Sequence, residues 1–181
     1  MTDLKKYKMF IDGEWVDSES KRTFKTLNPE NNEPWAEVPE ASEKDVDKAV
    51  KAAQKAFESE WPNLFPRQRA KYLKAIADQL RKNAELLGKI ETIDTGKLFK
   101  ETKTQANYIA EYYDYYAGLA DKVEGTVLPI DKANMQVITT RVPIGVVAAI
   151  IPWNSQMLLT AVKLAPALAM GNTVVIKSSE L

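Results

Sequence analysis

Polar side chains follow two short apolar runs near the end of the 181-residue sequence. Trp153 and Asn154 come directly after the apolar, largely β-branched run at residues 145–152, while Lys177 and Glu180 follow a second, shorter run. Such runs are typical of strands in a parallel sheet, and open α/β sheets bind ligands beyond the carboxyl ends of their strands. These four side chains are therefore candidates for a cofactor or substrate site.

An amide at position 154 can donate a hydrogen bond to an oxygen that develops negative charge during a reaction. The alternative is that Asn154 or Ser155 only caps the helix that follows, and position alone favours the cap. Lys163, inside that helix, has the spacing of a solvated lysine whose stem covers apolar neighbours, so spacing alone gives it no function.

Lys177 and Glu180 have a similar pair of interpretations. A lysine can hold a hydroxyl or phosphate, and an acidic side chain can accept hydrogen bonds from ribose hydroxyls. A carboxylate there also repels a 2′-phosphate, which favours NAD over NADP. Without further information, an exposed ion pair in a turn is the favoured interpretation.

The composition excludes several kinds of chemistry. The sequence contains no histidine and no cysteine, so imidazole bases, disulfides and a thiol nucleophile are absent from it. Lys plus Arg and Asp plus Glu both number 25, which argues against a nucleic-acid partner. Residues 1–8 lack the apolar segment of a signal peptide, and no apolar run is long enough to span a bilayer. We expect a cytoplasmic protein without a membrane partner.

The candidate residues lie in a predicted βαβ unit. Residues 155–170 have apolar side chains at helical spacing, and Gly171 stands where a helix needs a left-handed C-terminal residue. The predicted inward positions of this helix are Met157, Ala161, Leu164, Ala165 and Leu168.

The first part of the sequence predicts strands. Asp12 and Gly13 form a favoured two-residue turn between hydrophobic arms, which indicates a hairpin. A third strand is predicted at residues 23–27. Residues 33–39 predict a short strand near a sheet edge because they contain prolines.

Four helices are predicted next, at about residues 43–59, 67–82, 84–95 and 101–121. Ser42 and Asp45 have the spacing of a capping box at the first helix, Asn83 can cap the third, and Gly96 ends it. Tyrosines four residues apart on the last helix favour packing over a stacking platform. The predicted inward positions are Val46, Ala49, Val50, Ala53 and Phe57 in the first helix; Leu73, Ile76, Ala77 and Leu80 in the second; and Leu86, Leu87, Ile90 and Ile93 in the third.

Residues 125–142 predict a pair of strands that leaves the main body as an arm or an edge. A polar stretch at residues 131–134 separates the two halves, and residues 135–141 alternate in polarity.

Several short motifs, in order, resemble one family. They are FIDGEW at residues 10–15, LNP at 27–29, DTGK at 94–97, YAG at 116–118, RVPIG at 141–145, IIPWN at 150–154, KLAPAL at 163–168 and GNTVVIKSSE at 171–180. The sequence is similar to the N-terminal part of NAD(P)-dependent aldehyde dehydrogenases of the betaine-aldehyde or general aldehyde type. The resemblance covers nearly the whole chain.

The resemblance implies an α/β fold: an incomplete Rossmann-like cofactor-binding domain with an N-terminal β-hairpin, a helical layer and a protruding β arm. It divides the chain into residues 1–124, the hairpin and helical part; residues 125–143, the arm; and residues 144–181, the first βαβ unit. It also implies that the arm joins subunits into a homo-oligomer, a dimer or a tetramer.

The resemblance further implies roles for individual residues. Asn154 matches the amide of the oxyanion hole, and Lys163 matches a lysine that some members use in a charge relay. The cofactor cleft is matched by Ile150, Ile151, Pro152, Trp153 and Asn154, and the adenosine-ribose site of NAD by Lys177, Ser179 and Glu180. Thr26, Leu27 and Asp94 resemble positions that hold a structural monovalent cation.

Family members oxidise an aldehyde with a cysteine thiolate, followed by hydride transfer to the nicotinamide and hydrolysis by a glutamate-activated water. Because residues 1–181 contain no cysteine, this segment alone is expected to be inactive. The alternative is a non-catalytic truncated remnant that acts as a binding or assembly module. A downstream Gly-rich stretch with one cysteine would distinguish the enzyme from the remnant.

The sequence departs from the family pattern at two positions. Gln156 replaces a proline two residues after Asn154, and Ser178 replaces the proline after Lys177. Loss of a proline restores a backbone donor and loosens a turn, so we expect the site geometry to persist with weaker preorganisation.

Overall fold

The computed structural model describes residues 4–180, which form nine strands and five α-helices. Residues 1–3 of the polar N-terminus and Leu181, the end of the predicted third segment, lie outside the described residues. The strands are β1 Lys5–Lys6, β2 Met9–Ile11, β3 Glu14–Val16, β4 Thr23–Asn28, β5 Glu33–Pro39, β6 Val127–Leu128, β7 Val137–Ile138, β8 Val146–Ile150 and β9 Thr173–Lys177. The helices are α1 Glu43–Glu58, α2 Pro66–Lys82, α3 Ala84–Thr95, α4 Phe99–Leu119 and α5 Gln156–Ala169.

The predicted N-terminal hairpin is confirmed. Strands β2 and β3 pair antiparallel, with Met9 opposite Val16. Asp12 and Gly13 have φ angles of 51° and 83°, the left-handed conformations that a tight two-residue hairpin turn requires.

Strand β5 is the central strand of a sheet with order β1-β5-β4, so its prediction as an edge strand was wrong. It pairs antiparallel with β4 and parallel with β1. The parallel pairing involves only Ala36 and Glu37, which lie between Pro34 and Pro39. The prolines therefore stand outside the short stretch where a second neighbour needs backbone donors.

The helical core lies where α2, α4 and α5 meet. The predicted inward positions of α2 and α5 are buried or half-buried there, which confirms both stripes. On α4, the rings of Tyr112 and Tyr116 pack with centroids 5.0 Å apart, as the packing interpretation predicted. The fully or nearly fully buried members of this core include Leu73, Ala77, Ile109, Ala110, Tyr113, Ala161 and Ala165.

Two predicted stripes are covered only in part. Val46 and Leu86 are 52% and 56% exposed, and Val50 and Ile93 also remain exposed. On α3 the buried residues are instead Ala84, Gly88 and Glu91. For α1 and α3, helical periodicity therefore predicted the helix correctly but only part of the face that packs against neighbours within residues 4–180.

The βαβ unit is confirmed. Strands β8 and β9 pair parallel, and α5 packs against both of them and against α4. Gly171 ends the helix with a φ of +85°, and a Cβ there would lie 3.0 Å from Pro143 Cγ. The arrangement brings the two candidate groups of polar residues to one edge of the sheet.

A buried amide fixes the start of both strands. The Asn172 side chain accepts hydrogen bonds from the backbone N–H groups of Ile144 and Gly145, at 2.7 and 3.2 Å, and donates to the Ala167 carbonyl. The backbone carbonyl of Asn172 in turn accepts a hydrogen bond from the Trp61 indole N–H at 2.9 Å.

The predicted strand pair at residues 125–142 is present but short. Strands β6 and β7 pair antiparallel over two residues each, with Val127 opposite Ile138. A Cβ at Gly125 would lie 1.8 Å from the Thr139 carbonyl oxygen, so glycine allows the backbones to approach at the base of the pair. The division of the chain into three segments stays a prediction. In residues 4–180, no helix has the length and apolar character needed to cross a membrane.

Candidate functional site

The ends of β8 and β9 lie side by side. Ile150 is the register partner of Lys177, and the Ile151 N–H donates to the Lys177 carbonyl at 2.9 Å. Residues 151–154 and 178–180 therefore leave the sheet from the same edge. The parallel pairing produces the closeness that the sequence predicted for a ligand site.

Asn154 lies in a short 3₁₀ helix, Trp153–Ser155, between β8 and α5. Its side chain is exposed and makes no hydrogen bond to any residue in the described range 4–180. Ser155 occupies the N-cap position of α5 without a side-chain capping hydrogen bond. The capping interpretation is thus wrong for both residues, and the Asn154 amide keeps its donors available.

The residues before Asn154 divide into buried and exposed members. Ile151 is 2% exposed and belongs to the core, whereas Ile150 and Trp153 are 68% and 54% exposed. Pro152 is exposed as well. Within this loop, the exposed apolar surface suited to a cofactor is provided by Ile150, Pro152 and Trp153, while Ile151 holds the loop to the protein.

Lys177 and Glu180 form a hydrogen-bonded ion pair between Lys177 Nζ and the Glu180 carboxylate. This bond holds the pKa of Glu180 below its ordinary value, so the carboxylate is ionised at neutral pH. Both side chains are exposed, and Ser179 is half-buried between them. The pair presents a donor and an acceptor to solvent, the chemistry that ribose hydroxyls need.

Lys163 lies on α5 and is half-buried. Among the described residues it has no hydrogen-bond or ion-pair partner, so its ammonium group is not held by a local acceptor. Its role as a charge-relay residue stays a prediction.

The carboxylate of Asp94 joins three elements next to residues 151–155, which we call the Asn154 loop. Asp94 Oδ1 accepts a hydrogen bond from Thr26 Oγ1 at 3.1 Å, and Asp94 Oδ2 accepts one from Gln156 Nε2 at 3.0 Å. Thr26 belongs to β4, Asp94 to α3, and Gln156 is the first residue of α5. In the sequence, Gln156 stands out only as a departure from the family pattern, and that departure does not predict its contact with Asp94.

The same carboxylate belongs to the predicted cation site. Thr26 donates to Asp94 in this structure, while the Leu27 side chain is 44% exposed. The carboxylate retains lone pairs that suit a hard cation, so the residues fit an oxygen-ligated ion, and the monovalent-cation site stays a prediction.

A second link runs from α3 to the same loop. Gly96 has a φ of 73° and reverses the chain at the end of α3, after which Lys97 Nζ hydrogen-bonds to Ser155 Oγ. Lys97 Nζ also lies 3.9 Å from Glu91 Oε1, which is buried and has no hydrogen-bond partner among the described residues. Burial raises the pKa of Glu91, while the Lys97 charge and the Met157 backbone amide act in the opposite direction.

These supporting residues were missed by sequence reasoning. The only local signal was a helix end with acidic side chains at positions 91 and 94, followed by a glycine stop and a lysine. That signal resembles an ordinary solvated helix end, and the contacts that give it meaning join residues 58 and 62 positions apart.

Comparison with known proteins identifies the family to which this sequence and fold belong. The model of the aldehyde dehydrogenase family matches residues 15–181. The chain is 49% identical over 178 residues to (Z)-2-((N-methylformamido)methylene)-5-hydroxybutyrolactone dehydrogenase from Acinetobacter baylyi, covering 98% of this chain and 36% of the relative. It is 43% identical over 176 residues to betaine aldehyde dehydrogenase from Bacillus subtilis, covering 96% of this chain and 36% of the relative.

A solved structure shows the same fold. The crystal structure of betaine aldehyde dehydrogenase from Staphylococcus aureus in complex with NAD⁺ superposes with a TM-score of 0.92 at 39% identity, covering 96% of this chain and 35% of that one. The chain thus spans about a third of the length of the relatives it matches and corresponds to their N-terminal part. With its α/β fold and a family match over nearly all of its residues, the chain belongs to the aldehyde dehydrogenase family.

Proposed function

We propose that this chain supplies the oxyanion-stabilising amide and part of the cofactor site of an enzyme that oxidises an aldehyde to a carboxylic acid with NAD. The main support is the Asn154 side chain, which is exposed at the carboxyl end of β8 and has no hydrogen-bond partner within residues 4–180. An amide held this way can donate to the aldehyde oxygen as it gains negative charge, without first breaking another bond.

The cofactor assignment rests on the neighbouring strand end. Bound NAD would accept the hydride that leaves the aldehyde carbon. Lys177 and Glu180 fit its ribose because both are exposed and joined to each other, so each can exchange that contact for a hydroxyl. Ile150, Pro152 and Trp153 would provide apolar contact beside it, and Lys163 a charge within the same βαβ unit.

The nucleophile is a separate matter. Residues 1–181 contain no cysteine, so we propose that this segment by itself turns over no aldehyde and that the whole enzyme takes its thiolate from elsewhere. The same observation supports the alternative, a non-catalytic module for binding or assembly. NADH formation by the protein as expressed from its gene would contradict that alternative.

The cytoplasmic location also stays a prediction, which cell fractionation would test.

The test of the proposed function is the change Asn154→Ala in the protein as expressed from its gene. With a panel of aldehydes that includes betaine aldehyde, kcat should fall by about 10²–10³, as for removal of one oxyanion donor. NADH formation measures the rate.

The matched control is Asn63→Ala, which removes an exposed amide that donates only to the Ser59 carbonyl. The control should retain the wild-type rate. An unchanged kcat in Asn154→Ala would contradict the assignment of the amide.

A further inference from the structure

Gln156 lies two residues after Asn154 and opens α5, so its position decides where the short 3₁₀ helix before it can lie. Its amide group donates to Asp94 at 3.0 Å, and both side chains are half-buried. A hydrogen bond to an ionised carboxylate, partly shielded from water, is stronger than a bond between neutral groups. The contact therefore restricts the loop that carries Asn154.

Asp94 is itself held on its other side. Its Oδ1 atom accepts from Thr26 at 3.1 Å, so the carboxylate cannot rotate toward Gln156 or away from it without losing a bond. Strand β4, the last turn of α3 and the first residue of α5 are thereby joined through one side chain. The Lys97–Ser155 hydrogen bond reaches the adjacent residue of the loop from the same end of α3.

Besides the Lys97–Ser155 hydrogen bond, the part of the chain that the structure describes gives the Asn154 loop little side-chain support of this kind. No side-chain cap closes the N-terminus of α5, and Asn154 makes no hydrogen bond with the rest of residues 4–180. We propose that Asp94 and Gln156 are positioning residues, which hold the Asn154 amide in its working place through the Thr26–Asp94–Gln156 chain of hydrogen bonds. This inference rests on the proposed function for its catalytic consequence but not for its structural one.

The polarity of the contact provides a specific test. Gln156→Glu places a second carboxylate against Asp94 and breaks the bond. Adding Asp94→Asn reverses donor and acceptor: the substituted amide at position 94 can accept from Thr26 and donate to the carboxylate at position 156. The double variant also restores the original net charge. The matched control is Gln54→Glu, which sets a carboxylate against Glu58 on the exposed face of α1.

Hydrogen exchange by mass spectrometry, on the protein as expressed from its gene, measures the structural part. Peptides that cover residues 153–158 should exchange about tenfold faster in Gln156→Glu, as expected for loss of a charged hydrogen bond, and return toward wild type in the double variant. Gln54→Glu should leave these peptides unchanged. Wild-type exchange in Gln156→Glu, or a double variant no better protected than Gln156→Glu, would overturn the proposal. If Gln156→Glu does not fold, a folded double variant with wild-type exchange supports it and an unfolded one overturns it.

Kinetics measure the catalytic part. Gln156→Glu should lower kcat about tenfold, and in the Asn154→Ala background the same change should cost less than about twofold, because the residue acts through the amide already removed. A full tenfold loss in that background would overturn the positioning role. A wild-type protein that oxidises no aldehyde would contradict the proposed function, and the exchange experiment would still decide the structural link.

Discussion

The ion pair of Lys177 and Glu180 joins two exposed side chains at the edge of the candidate site. Such a pair contributes little to stability, because water screens both charges and the side chains lose freedom when they meet. Its effect on a ligand is different. The hydrogen bond from Lys177 keeps Glu180 ionised, so a second negative charge placed beside it is repelled.

This charge predicts cofactor preference. Glu180→Gln removes the repulsion but keeps the shape, so the preference for NAD over NADP, measured as the ratio of kcat/KM values, should fall roughly tenfold, or about 1.4 kcal/mol. The KM for NAD should rise, since a ribose acceptor is weakened. Glu124→Gln, the same change on an exposed residue directly before the arm, serves as the control. An unchanged cofactor ratio would remove Glu180 from the ribose site.

Among individual residues, the sequence predicted the side chains at the strand ends but not the residues that contact and support them. Asn154 and Lys177 could be found because parallel strands place their carboxyl ends at one edge. Asp94 and Gln156 could not, because their contact depends on the angle at which α3 meets the start of α5. No hydrophobic period encodes that angle, and a glutamine at a helix start has many possible partners.

The first turn of α1 is organised by one buried carboxylate. Asp45 is 2% exposed and accepts hydrogen bonds from the side chains of Ser18 and Ser42 and from the backbone N–H groups of Glu19 and Ser42. The network completes the capping box that the sequence predicted and ties α1 to the segment after β3. Burial alone would raise the pKa of Asp45, but these donors outweigh it and lower the pKa well below its ordinary value of 3.8.

The lowered pKa predicts how stability depends on pH. Below pH 3.8 the unfolded chain binds a proton at Asp45 while the folded protein does not, so the free energy of unfolding rises with pH across that window. The contribution of Asp45 to stability is therefore lost as the pH falls. Asp45→Asn should lower the free energy of unfolding near neutral pH by about 1–3 kcal/mol, because donors in the network lose their acceptor.

Urea denaturation at several pH values measures this effect. The difference between wild type and Asp45→Asn should shrink as the pH falls below 3.8. Asp47→Asn, which loses only an exposed ion pair with Lys51, should follow the wild type throughout. A constant difference at all pH values would show that Asp45 stabilises α1 by shape and not by charge.

The elements themselves were largely predictable because caps, turns and periodicity are local. The Ser42 cap, the Asp12–Gly13 turn and the Gly171 stop all follow from the conformations those residues prefer. The central position of β5 in its sheet was not predictable, because a central strand with short pairing on one side tolerates prolines at its ends. The exposed Val46 and Leu86 show the same limit, since a stripe records which face is apolar and not what packs on it.

At the scale of the molecule, the arm exposes apolar surface that suits association. Val127, Ile138 and Met135 are 65%, 61% and 57% exposed, and they lie on or between the paired strands β6 and β7. We propose that the arm joins subunits into a homo-oligomer.

Val127→Lys tests this role. The residue is already exposed, so the fold should tolerate the change, while a buried lysine at an interface would be strongly unfavourable. Light scattering after size-exclusion chromatography should show a smaller assembly. Val46→Lys, the same substitution on an exposed valine of α1, should keep the wild-type mass. A Val127→Lys protein of unchanged mass would exclude the arm as the contact.

The long-range hydrogen bonds near Asn172 also bear on how the chain is made. Three side-chain hydrogen bonds join residues that are far apart in the sequence. Trp61 donates to the carbonyl of Asn172, 111 residues further on, and Arg69 donates to that of Ala169, 100 residues further on. The Ala53 carbonyl accepts from the Thr173 hydroxyl, 120 residues further on. At a synthesis rate of about 5–20 residues per second, roughly 5–20 s separate the emergence of α1 and α2 from that of their partners. During this interval the faces of α1 and α2 that pack against β9 and α5 are uncovered, and a chaperone that binds apolar faces would reach them before the βαβ unit leaves the ribosome.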